Sequence, residues 1–453
     1  MRLRLLAASL AIVLVMSLQG TVAFAEGEAG ETPAPAVAPD DTSPEAGPAD
    51  EPQQESGAPE PAPAKPKLEV HGFLQENASL RATSPVEPLK VESRLQIELS
   101  RKTPQLEFLA KTDFVYDPAA VQGSEAHADL REGYLTWYGR NLDLRVGKQI
   151  ITWGVGDLIF LTDLFPKDWV AFITGAPIEY LKKGSTGVKA NYYLRDWSLE
   201  TIFIPAFQRG TLPSGGELVH FVPFPEAAVK RLVLPPKTLR NSEFALRASR
   251  MIGGYSTSLY LFRGIDPMPS FHFDLATSTV TVQHHRLNML GASTQGDFRG
   301  YLLSGEFAYY DTEDSTGTDP EIANPSLKLL LAGERVIRDK RTASVQLFLD
   351  YMVHHRRYQS TLPAGFPSQR QLRKTVTVRL RDSLHRDTFR PTVYLLYNLD
   401  DRDFFVKAEY EQDLMPGTWY ALGVNLFGGK FRHTMYGQFR GDENVYFTLR
   451  RAF

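Results

Sequence analysis

Two histidine pairs, His284-His285 and His354-His355, are the first residues that could do chemistry, because neighbouring imidazoles suggest a metal. In a strand, however, adjacent side chains point to opposite faces, so such a pair cannot close on one ion. The chain has no Cys, which removes thiolate ligands and disulfides alike. No GxSxG elbow marks a nucleophile, and no compelling Ser, His and Asp grouping suggests a proton relay. The sequence therefore implies no catalytic centre, no metal and no cofactor.

The charged residues are better suited to steering a solute. Arg373, Arg379 and Arg381 share one face of an alternating run, and Arg390 falls on the same face of the next. Lys407, Glu409, Glu411 and Asp413 line the run after that. A basic row beside an acidic row sets up a transverse field that orients dipolar molecules. If the rows instead pair across neighbouring strands, they only keep a lumen wet, at a fraction of a kcal/mol per pair. A second set, Asp157, Asp163, Lys167, Asp168 and Glu179, punctuates the apolar stretch that begins "GKQIITWGVGDLIFLTDLFPKDW" at Gly147. These five would edge a pore if that stretch folds into a channel. The alternative is that the stretch merely fills space and stiffens a wall.

Such residues need elements to position them. From Leu68 onward no run approaches the length of an apolar spanning helix, whereas runs of about ten alternating residues recur. In 91–99, Val91, Leu95, Ile97 and Leu99 share a face with Ser93, and Glu92, Arg94, Gln96 and Glu98 share the other. Residues 106–114 repeat the pattern, with Leu106, Phe108, Ala110 and Phe114 opposite Glu107, Lys111 and Asp113. A soluble sandwich and a transmembrane barrel both produce this alternation. The 27 Phe, 19 Tyr and 5 Trp, suited to interfacial girdles, favour the barrel. The predicted fold is all-β: a transmembrane antiparallel β-barrel over 67–453, of about 18 strands, with 16 as the alternative.

The fifth strand, 142–150, turns Leu142, Leu144, Val146 and Ile150 outward and Asp143, Arg145 and Gln149 inward. Alternation stops after Trp153 and returns only near Gly184, a long connection of the kind that tends to be functional. Its apolar residues are poorly placed in water, which predicts that it folds inward and packs on the barrel wall. Short turns at 101–104, 139–141 and 252–255 fit the periplasmic side. Longer stretches near 205–240, 264–283, 311–325 and 356–370 fit the outer side, and an even strand count requires "KFRHTMYGQFR" to join the last outer loop.

Arg2 and Arg4, an apolar core from Leu5 to Leu18 and Ala23-Phe24-Ala25 form an export leader over 1–25. Residues 26–66 form a spacer whose acidic part, 26–64, holds ten Asp or Glu, nine Pro and neither Lys nor Arg. Such a composition cannot bury enough surface to order itself. The whole chain carries −3, the leader +2 and the acidic part 26–64 −10, which leaves +5 for 65–453, too little to suggest nucleic acid.

The chain ends "NVYFTLRRAF", with Val445, Phe447, Leu449 and Phe453 on one face. This resembles the last strand of Gram-negative outer-membrane β-barrels, and the resemblance implies that Phe453 is presented to the barrel insertion machinery. Arg451 departs from the pattern and would have to snorkel toward headgroups. "GKQIITWG" followed by "TDLFPKD" is similar to an uncharacterised, porin-like family of proteobacterial barrels. The expectation is an outer-membrane channel in contact with lipid, passing small solutes by passive diffusion. The alternative is a barrel in an envelope export assembly that docks a periplasmic partner through 26–64. A barrel enzyme ranks third, and an oligomer is compatible with the sequence without being required.

Overall fold

The computed structural model describes residues 67–453 except 121–124, 214–217, 219–228, 275, 339 and 386. The leader and nearly all of the spacer lie outside the described residues. Eighteen strands pair antiparallel in one sheet, and the first, Glu69–Arg81, pairs with the last, Asn444–Ala452, closing it into a barrel. The 16-strand alternative is therefore excluded. Closure joins Phe453 to the wall: Gly72 and Phe453 exchange backbone hydrogen bonds at 2.9 and 3.1 Å. A Cβ at position 72 would run into the Phe453 ring, so glycine is what lets the terminal aromatic lie flat there.

Alternation sorts the two faces. On Tyr255–Ile265, Leu259 and Leu261 are 53% and 49% exposed, while Tyr260 and Phe262 between them are 3% and 4%. The outward side chains form an apolar band, with Trp137, Phe298 and Tyr301 exposed at the terminal end, the one that holds Glu69 and Phe453. Most connections at this terminal end are tight. Gly253 and Gly254, both at positive φ (58° and 84°), turn Ile252 into Tyr255 in two residues. The opposite end carries the long loops, including a small sheet of Val229–Val233, Ser270–Asp274 and Thr279–Gln283. "KFRHTMYGQFR" lies in the last long loop, between Thr418–Gly429 and Asn444–Ala452. Among the described residues no helix is long and apolar enough to cross a membrane.

Two sequence expectations change. The fifth strand, Leu142–Gln149, ends one residue early, and Ile150 borders the lumen instead of facing out. Its amide donates 3.0 Å to the inward carboxylate of Glu132, which pulls the chain off the wall. The histidine pairs lie outside strands, so opposite-face geometry is not what separates their rings. Three of the four rings have separate partners instead. His284 Nδ1 meets the Asp266 carbonyl at 2.8 Å, His285 meets Ser270 Oγ at 2.8 Å, and His355 meets the Gln369 carbonyl at 2.8 Å.

Candidate functional site

After Gln149 the chain leaves the wall at the loop end and fills the lumen until Ser185. Its first limb packs on one side of the barrel. Ile151, Trp153, Leu161, Leu164 and Phe165 form one cluster with inward wall residues that include Ile202, Phe262, Leu287, Met289 and Leu330. Burial of each large apolar side chain contributes roughly 1.5–3 kcal/mol. The largest buried apolar cluster among the described residues is therefore inside the barrel. Glu306, 2% exposed, anchors this limb by accepting hydrogen bonds from Val155 N (2.9 Å), Thr162 N (2.8 Å) and Thr162 Oγ1 (2.7 Å). Gly154, at φ 80°, passes so close to that carboxylate that a Cβ would collide with it. Trp153 Nε1 donates to Glu200 at 2.6 Å, and Tyr310 donates to the Leu161 carbonyl at 2.6 Å.

The second limb crosses to the opposite wall. Asp168 caps a short helix, Trp169–Ile173, through the Ala171 amide at 2.8 Å. Phe172, Ile173 and Leu181 join Leu396, Phe405 and Phe427 in a second cluster. The helix end is held at the closing seam: Asn425 and Asn444 both donate to the Ile173 carbonyl, at 3.0 and 3.1 Å, and Asn77 donates to Gly175 at 3.3 Å. Further on, the Tyr180 ring lies under two guanidiniums, Arg94 at 4.0 Å and Arg131 at 4.3 Å. Glu179 pairs with Arg450, which also donates to Gln75 at 2.9 Å. Arg450 stands three residues from the C-terminus, so the loop reaches most of the way to the terminal end.

The five residues proposed for a pore edge separate into two kinds. Asp157 and Glu179 border a cavity of about 500 Å³, together with Lys111, Arg131, Glu132 and Lys182. Asp157 pairs with Arg379 at 2.8 Å. Asp163 and Lys167 are buried within the loop itself: Lys167 Nζ donates to Asp163 Oδ1 at 3.0 Å and to the carbonyls of Asp163 and Phe165. Lys182 supplies a second cation to Asp163 at 3.0 Å. Asp168 is a helix cap. Burial pushes the Asp157 carboxyl above the usual carboxylate range, against the opposing pull of Arg379. Burial likewise lowers the Lys167 ammonium, although Asp163 acts to keep it charged.

The wall rows face inward and are extensively paired. Arg390 meets Glu411 at 2.5 Å and Asp413 at 2.6 Å, and Lys407 lies 3.5 Å from Glu409. Arg373 meets Asp350 at 2.6 Å, and Arg379 joins Asp157 to Glu334. Arg381 is exposed, and no acidic partner lies against it among the described residues. The sequence reading missed Glu306, the asparagines and the arginines that hold the loop. One signal was present: Asn is depleted in strands, so inward Asn77, Asn425 and Asn444 each ask for a buried partner. Among the described residues no group of three or more His, Cys, Asp or Glu could hold a metal.

No family model matches the chain. No curated relative matches it either. Solved structures do. OccAB2 of Acinetobacter baumannii is similar at TM-score 0.52 and 9% identity, over 85% of this chain and 98% of that one. OccK9 (OpdG) of Pseudomonas aeruginosa is similar at TM-score 0.51 and 10% identity, over 85% and 97%. OccAB1 of Acinetobacter baumannii is similar at 0.51 and 9%, over 85% and 96%. At such identities the likeness is one of fold, and it covers nearly the whole of each of those barrels.

Proposed function

We propose that the protein is a channel of the Gram-negative outer membrane through which small solutes diffuse passively. The observation that carries this reading is the cavity beside the infolded loop. Paired charges, Asp157, Glu179 and Lys182, border it together with Phe73, Leu158, Phe160 and Tyr394. A wall of that kind accepts solutes with a polar and an apolar part. The loop forms the narrow section, Asp157 and Glu179 edge it, and Asp163, Lys167 and Asp168 are its internal framework. The same reading takes 1–25 as an export leader, 26–66 as a spacer and Phe453 as the signal to the insertion machinery. It also includes the narrower kinship with the uncharacterised porin-like family that 147–168 resembles.

The test is conductance of the purified mature chain in a planar bilayer. Stepwise insertion of open channels is expected. Alanine at Asp157, Asp163 and Asp168 together should change the unit conductance or the ion selectivity. A barrel that inserts and passes no current would overturn the proposal.

A further inference from the structure

We infer that the terminal end of the barrel carries an arginine collar that holds acidic phospholipid headgroups. On the outward face, Arg101 follows Ile97 and Leu99, and Arg451 follows Phe447 and Leu449, each at the terminal end of its strand. Arg250 and Arg335 occupy the same position on Glu243–Ile252 and Ser326–Arg338, and Arg140 and Arg299 stand in terminal-end turns. The collar rests on the aromatic band: Arg250, which also pairs with Asp196 at 3.1 Å, lies 5.7 Å from the Trp197 ring, Arg299 5.3 Å from Phe298 and Arg335 4.6 Å from Tyr301. Among the described residues no acidic side chain lies against Arg101, Arg140, Arg299 or Arg451, and all four are exposed. At the loop end Lys148 and Lys374 each meet a carboxylate, Asp129 at 3.0 Å and Asp400 at 3.5 Å, while Arg263 is exposed with no acidic side chain against it among the described residues.

An aromatic ring at the edge of an apolar band marks the hydrocarbon boundary, so a guanidinium on that ring sits at headgroup depth. A guanidinium there without a protein anion matches a phosphate, which it can hold with two parallel hydrogen bonds. Zwitterionic headgroups offer the same phosphate but bring their own cation. The collar therefore selects lipids with net negative charge. Arg451, the departure from the terminal-strand pattern, becomes part of this site.

The experiment reconstitutes the mature chain in nanodiscs of phosphatidylcholine with a minor fraction of phosphatidylglycerol, and then counts the lipids retained after mild detergent extraction. Phosphatidylglycerol is expected to be enriched about fivefold, as one such contact predicts, and the enrichment should fade in high salt. Replacing Arg101, Arg140, Arg299 and Arg451 by Gln should remove it, and replacing loop-end Arg263 by Gln should not. Heat-dependent gel mobility checks that each variant is a folded barrel. Equal retention of both lipids, or enrichment that survives the fourfold substitution, would overturn the collar. Lipid counts do not depend on conduction, so a barrel that passes no current could still carry this site.

Discussion

The first limb of the infolded loop, residues 151–167, is held by burial and by one buried carboxylate, Glu306. The second, residues 168–181, is held largely by amides and guanidiniums at the seam where the barrel closes. Leu161 is 1% exposed among Ile202, Met289 and Leu330, on the seventh, tenth and twelfth strands of the barrel. Ile173 is also buried, but its carbonyl is gripped by Asn425 and Asn444, from the last two strands. Asn77 on the first strand adds the third contact, to Gly175. Apolar contact is non-directional and tolerates small shifts, whereas these amide bonds require the first, seventeenth and eighteenth strands to be in register. The second limb can therefore dock fully only on a closed barrel, and the first needs only the inward wall that carries its apolar partners and Glu306.

The contrast can be broken most sharply at Glu306. Glu306→Ala leaves three donors of the first limb without their acceptor, and the expected loss is about 4 kcal/mol, measured by denaturant unfolding in detergent. Open-channel noise should rise as that limb loosens. Leu161→Ala should cost about 3 kcal/mol through the cavity it leaves. Asn444→Ala should cost about 1.5 kcal/mol, because Asn425 still donates to Ile173. If Asn444→Ala equalled or exceeded Leu161→Ala in the same assay, the distinction between a buried limb and a hydrogen-bonded limb would fail.

The smallest expected effect is one of pH. Burial raises the Asp157 carboxyl above its ordinary 3.8, so on acidification it takes up a proton before an exposed Asp does. Arg379 then loses one of its two carboxylate partners while keeping Glu334. Reversal potentials should move toward anion preference as pH falls through this range. Asp157→Asn should show that preference already at neutral pH and lack this component of the shift. A variant that titrates like the parent would place the pH response elsewhere.

The wall was legible because a strand has a period of two. In 91–99 and 106–114 each residue's face follows from its position, and the structure puts Glu92, Gln96 and Asp113 in the lumen as alternation requires. The infolding of 150–184 was legible for a related reason: too many apolar residues stood in a connection too long to leave in water. What lies within that loop was not legible. Asp163 and Lys167 read as pore edge because charge normally seeks water, yet they bury each other four residues apart. Glu306 read as one more inward polar residue, and only the path of the loop makes it an anchor.

Periodicity by itself determined amphipathic strands with one long interruption, because these follow from local side-chain direction, while the aromatics and the pattern of the last strand favoured a barrel over a sandwich. Which wall each limb meets, which charges reach the cavity and which arginines lack a carboxylate were decided by the tertiary structure alone. Those contacts join residues such as Asp157 and Arg379, 222 positions apart. No local rule links residues so distant in sequence, and only closure of the sheet brings them within reach.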